Sequence, residues 1–203
     1  MTDHTRLRMS ILSASFTGLI IVGAFISVPL PFTPVPIVLQ NFFVLLAGLL
    51  LGWRWGALSV ALYLILGAVG LPVFSAARGG LGHFFGPTGG YLLGFLACAL
   101  IAGALRRPGR STAHNAPAGL LAMLAIYAVG VPWLKQVTEM SWGAALGAGI
   151  VPFLVGDAVK LAAALATQRV VTARIPWMRD LAGAATMEAG APRTAEQSSS
   201  PEN

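Results

Sequence analysis

The sequence predicts an all-α integral membrane protein of six transmembrane helices, with the N- and C-termini in the cytoplasm. Three observations carry that reading. Of 203 residues, 56% are hydrophobic and only 10% are charged, whereas soluble domains average about 25% charged. The apolar residues gather in runs that can cross about 30 Å of hydrocarbon at 1.5 Å per residue. The basic residues fall mainly in alternate gaps between those runs. A mean hydropathy of +0.77 agrees.

Residues 1–8 read as a cytoplasmic N-terminus, followed by a six-helix membrane domain over 9–171. Span one covers about 9–28; Arg6 and Arg8 ahead of it suggest a signal peptide, but the run is too long and lacks a small-x-small cleavage site. It is read as a retained helix. Pro29 to Pro36 holds four prolines in eight residues, which makes a stiff, extended connector. Span two, about 37–52, is short and needs the preceding loop to lengthen it. Span three covers about 55–71. The Leu71–Tyr91 loop mixes glycines, which allow close backbone approach, with aromatics able to cover an apolar ligand. Span four, 89–105, is followed by a polar linker over Arg106–Pro117, and span five covers about 118–134. Span six, about 143–171, contains Pro152, which should kink or break it. The cytoplasmic tail, 172–203, reads as disordered after about Gly183.

Sidedness follows from the basic residues. Arg6, Arg8, Arg54, Arg106, Arg107, Arg110, Arg169, Arg174 and Arg179 fall on one side, and only Arg78 and Lys135 on the other. The positive-inside rule then places both ends in the cytoplasm. The formal charge of +6 is spread between spans rather than over one surface, which argues for a membrane and against nucleic acid as partner. Cys98 stands alone, and His4, His83 and His114 are scattered, so neither an internal disulfide nor a metal site is expected. Trp53, Trp55, Trp133 and Trp142 suit the membrane interface.

Function is sought at Asp157 and Lys160, the only charged pair inside a long apolar segment. A charge near the bilayer centre costs roughly 2.5–3.5 kcal/mol on insertion scales and usually marks a substrate or ion site. Spacing i to i+3 puts both on one helix face. The bland reading is a pair that only ties helices together. Gln40 and Asn41, in an apolar stretch at the outward end of span two, serve either a ligand, Asp157 or a neighbouring helix. Phe74 and Tyr91 are candidate pocket walls, and Arg78 is either a carboxylate-attracting loop residue or a solvated one. His83 reads as a loop residue. Ser10, Ala14 and Gly18 repeat every four residues on span one, a pattern that permits close helix approach.

Several stretches together resemble the biotin-specific substrate-binding subunit (S component) of energy-coupling-factor vitamin transporters, the biotin transporter Y family. They are Pro34-Val35-Pro36-Ile37 with Gln40, Tyr63 with Gly67 and Gly70–Phe74, Gly86–Leu92, and Pro152-Phe153 with Gly156, Asp157 and Lys160. The resemblance covers about residues 9–171. It implies a six-helix S-component-like bundle, in the cytoplasmic membrane of a prokaryote, that binds biotin from outside. Delivery is by toppling against a transmembrane coupling subunit driven by two ABC-type ATPase subunits, and some members of the family work without them. It also implies that Asp157 and Lys160 take part in recognising biotin and that the Ser10, Ala14, Gly18 face docks on the coupling subunit. Biotin would be the transported ligand, with no cofactor.

The chemistry is consistent with that ligand. Biotin carries a ureido ring with two N–H donors and one carbonyl, an apolar sulfur ring and a carboxylate. An ionised Asp157 can accept from the ureido N–H groups while Lys160 donates to an oxygen, each bond worth about 1.5–3 kcal/mol. Two alternatives stand beside it. One is an S component for another vitamin. The other is a small membrane enzyme using Asp157, although the sequence offers no nucleophile–base pair and no second intramembrane carboxylate. A scaffold without a ligand leaves the charged pair unexplained.

Overall fold

The computed structural model describes residues 3–107 and 112–175. Arg110, Arg179 and the tail expected to be disordered lie outside the described residues. The described chain is mostly helical, and its helices run α1 (Asp3–Phe25), α2 (Gln40–Ala68), α3 (Gly89–Leu105), α4 (Thr112–Thr138), α5 (Trp142–Gly149) and α6 (Leu154–Arg174). Four stretches are long and apolar enough to cross a membrane, namely Asp3–Phe25, Gln40–Ala68, His114–Thr138 and Trp142–Arg174, and Gly89–Leu105 is a shorter apolar helix.

The proline-rich connector is not a single extended strut. It forms two antiparallel strands, β1 (Ser27–Leu30) and β2 (Thr33–Val38), paired from Ser27–Val38 to Leu30–Thr33 with an irregularity between Val28 and Leu30. Both strands are edges, where proline's missing N–H costs no ladder bond that a third strand would need. Ile37 and Val38, expected to open span two, close β2 instead, and the helix begins at Gln40.

α2 takes in both segments expected as spans two and three, with one break. Gly52 adopts φ 85°, ψ 178°, outside the helical region. A Cβ on Gly56 would lie 2.9 Å from the Gly48 Cα, whereas eight residues of straight helix would separate them by about 12 Å. The two limbs of α2 therefore double back on each other at Gly52. Arg106 secures that turn. It was expected as a loop charge after span four, yet it is 8% exposed, and its Nη1 donates to the carbonyls of Leu49 (3.2 Å) and Leu50 (2.5 Å). Those are carbonyls a helix end leaves unsatisfied.

α1 binds the second limb through hydroxyls. Ser13 Oγ donates to the Trp55 carbonyl at 2.9 Å, and Thr17 Oγ1 to the Ser59 carbonyl at 2.9 Å. α3 packs between the α2 limbs and α4 wherever glycine removes a side chain: Gly48 faces Ala99 and Ala102, and Gly94 faces Ile126. Span six breaks near Pro152, as its sequence foretells. α5 ends at Gly149, a 3-10 turn covers Val151–Phe153, and α6 begins at Leu154. Met9 of α1, Leu50 and Leu51 beside the Gly52 turn, and Val171 and Ile175 at the end of α6 share one apolar cluster. Both ends of the described chain therefore lie at the end of the bundle opposite the hairpin.

Candidate functional site

A narrow cavity of about 60 Å³ lies under the β1–β2 hairpin, between α2, α3, α4 and the start of α6. Val35, Pro36 and Val38 of β2 roof it, and Tyr91, Leu92 and Phe95 of α3 and Ile126 and Phe153 supply apolar wall. Its polar side chains are Gln40, Asn41, Tyr63, Tyr127, Asp157 and Lys160, with Ser75, His83 and Thr88 at the loop side. An apolar cleft with a few convergent polar groups is the ordinary form of a small-molecule site.

Asp157 is its electrostatic centre. It stands in the first turn of α6, where the helix N-terminus favours negative charge. One carboxylate oxygen accepts from Asn41 Nδ2 at 2.8 Å and from Lys160 Nζ at 2.9 Å. The other accepts from the Tyr127 hydroxyl. The Lys160 and Asp157 side chains are only 11% and 12% exposed, so the pair sits in the protein rather than snorkelling to an interface. Three elements, α2, α4 and α6, meet at this one carboxylate.

Three other polar atoms have no such satisfaction. Gln40 Nε2, Asn41 Oδ1 and Tyr63 Oη are buried without a hydrogen-bond partner, and all three residues line the cavity. An unmade buried hydrogen bond costs about 1–3 kcal/mol. Two of these residues open α2 at its first turn, and the third lies on the second limb. The Gly52 reversal brings them to one place.

Tyr91 lines the cavity and donates its hydroxyl to the Gly149 carbonyl at 2.9 Å. That carbonyl is available because the break at 150–153 diverts the Phe153 N–H to Ile150. Phe74 is fully buried but does not line the cavity. It stands behind Tyr63, edge-on with centroids 5.4 Å apart, in a seat that Gly67 leaves open.

Arg78 is exposed and lies beside a second, wider groove of about 750 Å³ between the hairpin and the 75–88 loop. The groove and the cavity share Pro36, Ser75, His83 and Thr88, so the loop forms the boundary between them. The loop is tied by a Phe74–Arg78 bridge and carries Ala76 and Ala77 at φ 59° and 54°, a left-handed conformation that favours glycine. His83, read from sequence as a plain loop residue, stacks on Phe74 with centroids 5.0 Å apart and shares a 3.2 Å hydrogen bond with Thr88. Burial, and then the charge of Arg78, holds its imidazole below the ordinary pKa.

Ser10, Ala14 and Gly18 are all exposed, and nothing lies within 4 Å of a Cβ built on Gly18. The face of α1 turned into the bundle is instead Met9, Ser13, Phe16, Thr17 and Ile20. The small-residue stripe thus looks away from the molecule.

Sequence reasoning passed over Tyr63 and Tyr127 as parts of the site. A tyrosine in an apolar run reads as core or belt, and the only available signal was a hydroxyl that needs a partner when buried.

Comparison with known proteins follows the same outline. Residues 1–177 match the family model described as the BioY family. A protein of Thermotoga maritima described as "Biotin transporter BioY" is 44% identical over 158 residues, 78% of this chain and 92% of that protein. A "Probable biotin transporter BioY" of Pyrococcus horikoshii is 44% identical over 154 residues, covering 76% and 90%. Among solved structures, the S-component for biotin from an ECF-type ABC transporter superposes with a TM-score of 0.77 at 29% identity, covering 84% of this chain and 94% of that one.

Proposed function

Because the chain belongs to the BioY family, we propose that it binds biotin and serves as the substrate-specific subunit for biotin uptake. It is a multi-pass membrane protein and a transporter component rather than an enzyme. The observation that carries the ligand reading is the cavity under the hairpin, lined both by a charged pair and by three residues with buried polar atoms that lack a hydrogen bond of good geometry. A ligand with N–H donors and a carbonyl at one end and an apolar ring beside them meets each of these needs.

In this reading the six crossings are α1, the two limbs of α2, α3, α4, and α5 with α6, in the cytoplasmic membrane of a prokaryote. Both termini face the cytoplasm, and the hairpin and 75–88 loop face outward. Asp157, Lys160, Gln40, Asn41 and Tyr91 form the binding site, Phe74 backs it, and Arg78 guides the ligand's carboxylate through the outer groove. The outward stripe of Ser10, Ala14 and Gly18 docks on a transmembrane coupling subunit, which two ABC-type ATPase subunits drive.

Isothermal titration of the purified protein in detergent tests the ligand. Biotin should give a one-to-one binding isotherm, while thiamine and riboflavin give none. Silence toward biotin, or a stronger response to another vitamin, would overturn the reading.

A further inference from the structure

We propose that the chain also binds amide conjugates of biotin, namely ε-N-biotinyl-lysine and short peptides carrying it, with the added amide and amino acid lying in the outer groove. The inference rests on the biotin reading above and extends the ligand class to molecules whose valerate carboxylate is no longer free.

The cavity and the groove are continuous and unequal. Pro36, Ser75, His83 and Thr88 line both, so a ligand chain that leaves the cavity at this boundary enters the groove directly. The cavity holds about 60 Å³ and the groove about 750 Å³. A valerate carboxylate alone fills little of the larger space.

Charge decides which end of the ligand belongs there. Lys160 stands 2.9 Å from Asp157, with both side chains nearly buried, so the cavity's cation is already matched. A ligand carboxylate brought beside the pair would face Asp157 as a second anion, which a buried site disfavours. The groove offers the reverse. Arg78 lines it, and no Asp or Glu does among the described residues.

The groove attracts an acid without gripping it. Arg78 is exposed, and an exposed ion pair is worth at most about fivefold in affinity. Converting the carboxylate to an amide forfeits no more than that contact, and the α-carboxylate of the attached lysine restores an anion farther out. Ser27 and Ser75 line the groove with hydroxyls able to pair with the new amide, while Pro29 and Leu30 give apolar surface to the lysine methylenes.

Competition against labelled biotin, with the full chain in detergent, compares biotin with ε-N-biotinyl-lysine. For the wild type the conjugate should bind within about tenfold of biotin; weaker binding than that would overturn the proposal. Gly82→Trp then fills the groove alone, because Gly82 lines the groove and not the cavity, and nothing lies within 4 Å of a Cβ built on it. The variant should weaken the conjugate by about tenfold or more and biotin by less than about threefold. Pro29→Trp, at an exposed position on the hairpin side of the same groove, takes its place if Gly82→Trp melts early. Equal losses for both ligands, or no loss for the conjugate, in a variant that melts like the wild type would overturn the proposal. Wild-type protein that does not bind biotin overturns the biotin reading itself, whereas biotin binding with the conjugate excluded overturns only this extension.

Discussion

Tyr127 donates its hydroxyl to the Asp157 carboxylate from 30 residues earlier in the chain, joining α4 to α6 across the cavity. With Asn41 reaching the same carboxylate from α2 and Lys160 from α6, one acid fixes the relative position of three helices and the polar end of the site. Removing one partner of a buried charged pair leaves the other uncompensated, which is more damaging than the pair's own net worth.

Asp157→Asn and Lys160→Ala should therefore each lower biotin uptake at least tenfold while membrane abundance stays near normal. Tyr127→Phe removes one bond to a charged acceptor, about 1.5–3 kcal/mol, and should weaken binding by about tenfold or more. Uptake of labelled biotin, read beside immunoblots of the membrane fraction, checks this. Variants that vanish from the membrane would mean the cluster only holds the fold.

Gly52→Ala should destabilise the bundle. The residue sits at φ 85°, and a Cβ there would meet the Arg106 guanidinium at 2.6 Å. Left-handed strain costs about 1–3 kcal/mol, and displacing Arg106 would expose the carbonyls it serves. Thermal melting in detergent should fall by several degrees, with the larger share of the loss shared by Arg106→Ala. An unchanged melting temperature would count against the turn as a stability element.

Gly18→Leu and Ala14→Leu should leave biotin affinity unchanged, because both positions point away from the bundle. With the stripe as the docking face proposed above, capture of a coupling subunit and its ATPases in detergent should fall. Loss of biotin binding in these variants would place the stripe within the fold instead.

His83 gives the loop a pH dependence. Its folded pKa is held below the ordinary 6.5, by burial first and Arg78 second. At and above neutral pH the imidazole is uncharged in both folded and unfolded chains, so stability is complete there. As pH falls below 6.5 the unfolded chain gains a proton that the folded loop resists, and stability declines until the folded pKa is passed. Melting temperatures between pH 8 and pH 5 should fall more for the wild type than for His83→Gln. Parallel curves would contradict this.

The long apolar runs were legible because hydrocarbon thickness imposes a length on any crossing helix, and the break at Pro152 followed from a missing N–H. The Asp157–Lys160 contact was legible because their spacing lies within one helix turn. Less could be read where contacts join distant segments. Pro29 to Pro36 was rightly extended, but its pairing into a hairpin depends on the chain reversing at Pro31 and Phe32. Phe74 looked like a pocket wall by type, and its place behind Tyr63 is set by the space over Gly67, a tertiary fact. Arg106 looked solvated because nothing local announces that two carbonyls more than fifty residues earlier lie within its reach.

The ion pair in α6 has an electrical consequence. Asp157 and Lys160 carry opposite unit charges that sum to zero, so displacing the pair along the membrane normal does no work against the voltage. A lone charge would be taxed about 2.3 kcal/mol per 100 mV. The cargo's own carboxylate, by contrast, would sense the resting potential.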